Sequence, residues 1–225
     1  MRMLALFTAC LCWAQQPPDP AMAPIDDQPN LPRVLLIGDS ISIGYTLPVR
    51  AALAGRANVH RIPENGATSR FGWEKLDSWL GSGKWDVITF NFGLHDLKIM
   101  DDGKRQVSLS EYETNLTAIA QRLKRTGATL LFVLTTPVPE GPVDPPRRTA
   151  DVSVYNRVAV SVMEAERIRV VDLYSAAMAR QSELQRPGNV HFTEAGYEAL
   201  AQFVARAIKA KLPRPHSKPR DAVRE

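Results

Sequence analysis

Cysteine is nearly absent. The chain has two, Cys10 and Cys12, and residues 13–225 contain none, which excludes a disulfide framework and a thiolate metal site. Long apolar runs are missing too. The longest, over residues 3–14, is too short to cross a bilayer, which takes about 20 residues. No Gly-x-Ser-x-Gly elbow occurs, so the α/β-hydrolase reading is weak. There is no Gly-x-Gly-x-x-Gly fingerprint and no P-loop. No His/Asp/Glu spacing suggests a metal site, so neither cofactor nor metal is expected. A net charge of +4 hints at an anionic partner, but six of the 28 basic residues and two of the 24 acidic ones lie in residues 209–225. Residues 1–208 are therefore neutral overall, which disfavours a nucleic-acid partner.

What is present suits one α/β domain: 225 residues, 44% of them hydrophobic. Met1-Arg2, the apolar run at 3–14 and the polar Gln15-Gln16-Pro17-Pro18 read as a secretory signal cleaved after Ala14. Phe7-Thr8-Ala9-Cys10 loosely matches a lipoprotein box, which would place an anchor at Cys10. A secreted or periplasmic protein is the expectation. Residues 15–32, rich in Pro, Asp, Gln and Asn, read as a linker, and 213–225 as a disordered basic tail. The domain is expected over 33–212.

Short apolar runs at 33–38, 58–62, 85–92, 129–135 and 168–171 read as strands. Helical patterns fall between them at 42–54, 71–80, 110–127 and 152–165, then at 173–184 and 193–211. Ser110 and Glu113 read as the capping box of the third helix. Ala195, Ala199, Phe203 and Ala207 lie on one stripe of the last. The alternation predicts a three-layer α/β/α sandwich with a mainly parallel, flavodoxin-like sheet of about five strands. Sites in such sheets form beyond the carboxyl ends of the strands.

Those ends carry chemistry. After the first strand comes Gly38-Asp39-Ser40, where a Ser at a strand-to-helix turn exposes its hydroxyl and a free backbone N–H. Asp39 reads as a turn-stabilising group, with a catalytic acid as the other possibility. A nucleophilic Ser needs a base. Of four histidines, His60 lies in a strand and His216 in the tail, leaving His95 and His191, both in loops. After the second strand, Asn65-Gly66-Ala67-Thr68 lets backbone approach a substrate closely, or is a plain turn. Arg147-Arg148 and Lys98 read as solvated charges that border the cleft and can meet a substrate.

Together these residues resemble the SGNH/GDSL hydrolases over nearly all of 33–212. The resemblance implies a serine esterase with Ser40 as nucleophile, His191 as base, and the N–H groups of Ser40 and Gly66 at the oxyanion. Short-acyl esters, including O-acetyl groups on carbohydrates, are the implied substrates. Two departures stand out. The third block, usually Gly-x-Asn-Asp, is Gly93-Leu94-His95-Asp96. His95 then replaces an Asn donor to the oxyanion, with Asp96 placed to fix its tautomer; a base or a structural residue are the alternatives. The fourth block, usually Asp-x-x-His, is Gly188-Asn189-Val190-His191, so the triad acid is missing. A backbone carbonyl or Asn189 can orient His191 in a dyad, Asp172 or Glu194 can substitute, or the protein is slow or inactive. A non-catalytic ligand-binding domain on the same scaffold and an acyltransferase remain as alternatives.

Overall fold

The computed structural model describes residues 19–213. Strands β1 (Arg33–Ile37), β2 (Asn58–Arg61), β3 (Val87–Phe90), β4 (Thr129–Val133) and β5 (Arg169–Val171) form one sheet in the order β2-β1-β3-β4-β5. Every pairing is parallel. This is the flavodoxin-like order, as the alternation of elements implies. Val34 to Ile37 and Val87 to Phe90 are buried throughout, because central parallel strands are covered on both faces.

Helices α1 (Ser40–Ala52) and α7 (Glu194–Lys209) pair on one face, with the short α5 (Leu173–Met178) and α6 (Gln181–Leu184) against α7. Helices α2 (Ser69–Leu80), α3 (Leu109–Lys124) and α4 (Thr149–Ala165) pack in succession on the other. The approach of α1 to α7 depends on Gly44, where a Cβ would lie 2.2 Å from the Tyr197 ring.

Several expectations need correction. The third helix starts earlier: Ser108 is its N-cap and accepts from the Glu111 N–H, so the same Ser-x-x-Glu spacing sits two residues upstream of Ser110. The helix expected over 173–184 breaks at Arg180 into α5 and α6. On α7 the stripe is only partly buried: Ala195 and Phe203 are exposed, Phe203 at 44%, and Ala199 and Ala207 pack at the edge of the core, while Leu200, Val204 and Ile208 are buried.

Residues 19–32, expected as a linker, are tied to the domain. Arg50 donates to the carbonyls of Pro20 and Ala23 at 3.1 and 3.2 Å. Asn58 accepts from the Gln28 N–H and donates back to its carbonyl. Asp27 pairs with Arg33 and with His60 of β2, at 2.9 and 2.6 Å. The expected signal at 1–14 and the tail from 214 onward lie outside the described residues. Among the described residues no helix is long and apolar enough to cross a membrane.

Candidate active site

β1 and β3 are sheet neighbours, with Ile37 opposite Phe90, so the segments that leave them start side by side. This is the point where the strand order reverses, the usual place for a site in this architecture. Asp39 caps α1: its Oδ1 accepts the Ile41 N–H at 2.9 Å. It is a turn-stabilising group, 1% exposed, and its Oδ2 is buried without a partner among the described residues. Ser40 is the first helical residue and is half-buried. A helix start leaves its first N–H groups without intrahelical acceptors, and the Ser40 N–H is not among the donors of this turn.

His191 reaches Ser40 from 151 residues away in sequence, with Nε2 2.9 Å from Oγ. Its Nδ1 lies 2.8 Å from Oδ1 of Asn189. The same Oδ1 accepts the backbone N–H of His191 at 2.9 Å. A backbone N–H can only donate, so the amide atom facing it is the oxygen, and Nδ1 must then donate as well. The Nε2 lone pair is left facing the Ser40 hydroxyl. Burial pushes the His191 pKa below the usual histidine value; the Asp39 charge opposes this, and Arg186 and Arg147 add to it. The alternative acid Asp172 is occupied as the cap of α5, accepting from Ser175 N–H and Oγ at 2.9 and 2.7 Å. Glu194 lies exposed in the first turn of α7. At the family's acid position Gly188 has φ +59°, a conformation that disfavours an L side chain.

His95 is half-buried in the loop after β3. Its pKa falls to about 4, chiefly through burial; Asp39 opposes, while Lys98, Arg147 and His191 push the same way. Nζ of Lys98 lies 3.1 Å from its Nδ1. Asp96, expected to fix the ring, does not bond to it. Its Oδ1 instead accepts from the Ser69 N–H and Oγ, at 2.9 and 2.5 Å, anchoring the start of α2. Burial raises its carboxyl to about 6, against the lowering effect of the Ser69 bonds. Arg147, expected as a solvated charge, is buried and donates to the carbonyls of Leu94 and Pro145, both at 2.9 Å, bracing the His95 loop. Arg148 is exposed.

The resemblance makes the Gly66 N–H an oxyanion donor, and the structure corrects this. That N–H donates to the Gly38 carbonyl at 2.9 Å, and a Cβ at 66 would lie 2.8 Å from the same oxygen. Gly66 therefore lets the second loop close onto the Ser40 turn. Asn65 supports it by accepting the Ala67 N–H at 2.9 Å.

Two residues at the site were missed. Arg61, at the end of β2, is 8% exposed; its Nη2 donates to the Gly38 and Asp39 carbonyls and to Ser42 Oγ, at 2.8, 3.0 and 2.7 Å. Its Nη1 holds the Ile62 and Glu64 carbonyls, and burial lowers its pKa to about 10. Gln185 binds the Val190 and Pro137 carbonyls at 3.0 and 2.8 Å, closing the loop that carries His191. Only an Arg ending an otherwise buried strand marked the first; nothing local marked the second.

Residues 36–199 match the model of the GDSL-like Lipase/Acylhydrolase family. A GDSL esterase/lipase of Arabidopsis thaliana is 27% identical over 220 residues, covering 84% of this chain and 90% of that protein. The fold is similar to that of a lipase/acylhydrolase from Enterococcus faecalis, with TM-score 0.71 and 23% identity over 83% of this chain and all of that one. It is also similar to Axe2, an acetylxylan esterase from Geobacillus stearothermophilus, with TM-score 0.65 and 22% identity over 79% and 94% of the two chains. The matched residues take in the Ser40 turn, the Gly66 and His95 loops and His191, and on that match the chain belongs to the GDSL-like lipase/acylhydrolase family and is an ester hydrolase.

Proposed function

We propose that the protein is a serine esterase working through a Ser40–His191 pair oriented by an amide. Ser40 Oγ attacks the acyl carbonyl while His191 Nε2 takes the hydroxyl proton. The negative oxygen of the tetrahedral intermediate accepts from the Ser40 N–H and a ring N–H of His95. Collapse breaks the ester bond, His191 returns the proton to the departing alcohol, and the acyl group stays on Ser40. Water then attacks, giving its proton to His191, and the acid leaves as Ser40 is restored.

The observation that carries this reading is the chain of contacts Asn189 Oδ1, His191 Nδ1, His191 Nε2, Ser40 Oγ at 2.8 and 2.9 Å. In a Ser-His-Asp protease, replacing the Asp by Asn costs about 10⁴ in kcat because the ring adopts the wrong tautomer. Here the His191 backbone N–H holds the amide oxygen toward the ring, which supports the productive tautomer without a carboxylate.

Short-acyl esters are the proposed substrates, among them O-acetyl groups on carbohydrates. The acetylxylan esterase fold relatives support this.

The test is hydrolysis of p-nitrophenyl acetate together with fluorophosphonate labelling. Wild type should turn over and be labelled on Ser40, and Ser40→Ala should lose both. Retained turnover in Ser40→Ala, or a folded wild type that neither labels nor hydrolyses, would overturn the reading.

A further inference from the structure

We propose that Lys98 is a positioning residue: its ammonium holds the proton of the His95 ring on Nε2 and keeps that ring neutral. The consequence for rate rests on the esterase reading above, while the effect on the ring rests on geometry alone.

Lys98 Nζ lies 3.1 Å from His95 Nδ1. An ammonium offers three donors and no acceptor, so the nitrogen facing it must present its lone pair. The single proton of the neutral ring then sits on Nε2. Protonating Nδ1 would set an N–H against the ammonium, so the same contact disfavours the cationic ring. The loop builds the pairing locally, because the Lys98 N–H donates to the His95 carbonyl at 3.2 Å and closes a turn between the two residues. The other charged or titratable groups that reach the ring are Asp39, which favours a cation, and Arg147 and His191, which oppose it.

The chemistry explains why a lysine belongs there. An Asn amide presents N–H donors in every protonation state of its surroundings. A neutral imidazole has one N–H, and it serves the oxyanion only in one of two tautomers. Lys98 removes that ambiguity, making His95 a fixed donor. A charge-assisted contact at Nδ1 also polarises the ring, strengthening the N–H on the far side.

The experiment is a cycle of Lys98→Met with His95→Asn, read by kcat on p-nitrophenyl acetate. In the wild-type background Lys98→Met should lose about tenfold, the scale of one charge-assisted hydrogen bond. Lys98→Arg, which still donates, should restore most of it. In the His95→Asn background Lys98→Met should change kcat by less than about twofold, because an amide needs no tautomer set. An equal loss in both backgrounds would overturn the proposal and make Lys98 a direct substrate contact. A second readout needs no turnover: the ¹⁵N spectrum of the His95 ring should report Nε2–H with Lys98 present and a mixture of tautomers in Lys98→Met. A ring unchanged by the substitution would also overturn it. Should Ser40→Ala keep its turnover while the ring still responds to Lys98→Met, the esterase reading fails and the hold of the lysine on the ring stands.

Discussion

The two histidines at the site are held by partners of opposite kind. Nδ1 of His191 faces an acceptor, the Asn189 amide oxygen, whereas Nδ1 of His95 faces a donor, the Lys98 ammonium. The first arrangement leaves a lone pair on Nε2 and suits a base. The second leaves a proton on Nε2 and suits a donor to a developing oxyanion. Burial lowers both pKa values and so favours the neutral form of each ring; the tautomer, rather than the charge, separates their roles. A histidine in an active site is thus not assignable from its presence alone; the atom opposite Nδ1 decides.

Removing each ring in turn breaks the comparison most sharply. His191→Ala should cost about 10⁶ in kcat, the scale of losing the base of a Ser-His pair. His95→Ala should cost about 10²–10³, the loss of one oxyanion donor. His95→Asn should recover activity to within about tenfold of wild type, since the amide supplies the same kind of donor. Equal losses for His191→Ala and His95→Asn on p-nitrophenyl acetate would mean that His95 moves protons instead.

A smaller effect, and a gain, is expected from Asn189→Asp. The carboxylate keeps both bonds to His191 and adds a negative charge beside the imidazolium that forms during attack. Because the tautomer is already productive, only the charge contributes, about one pKa unit or tenfold in kcat. The pH profile should move with it. Activity needs the neutral base, and burial depresses the His191 pKa, so the acid limb of kcat/KM should fall below the ordinary histidine value of about 6.5 in wild type. Asn189→Asp should shift that limb upward. A limb that stays put would separate His191 from the titration that controls rate.

Much of this arrangement was legible in the sequence because it is written locally. The period of the apolar runs gives five parallel strands, and Gly38-Asp39-Ser40 falls at a strand end, where such a sheet builds sites, while Asn189-Val190-His191 stands in the loop before the last helix. Asn189 stood among the candidates to orient His191 because it lies two residues away. What escaped notice acts over long separations or through backbone atoms. Arg61 grips the Gly38 carbonyl across 23 residues and Gln185 the Pro137 carbonyl across 48, and neither bond has a sequence pattern. The Gly66 N–H was expected at the oxyanion, yet a carbonyl from the neighbouring turn takes it. Asp96 is adjacent to His95 in sequence, but its carboxylate turns to α2, and the ring is met instead by Lys98, three residues on in the same loop. The linker expectation failed for a related reason. Proline-rich composition says little about a segment that Arg50 and Asn58 hold by its carbonyls.

The most direct test of opposite roles is the ¹⁵N spectrum of the imidazole rings in the resting wild-type enzyme, assigned by single His→Gln variants. The proton should sit on Nδ1 in His191 and on Nε2 in His95. The same tautomer in both rings, or a cationic His95 at neutral pH, would contradict the division of labour between them.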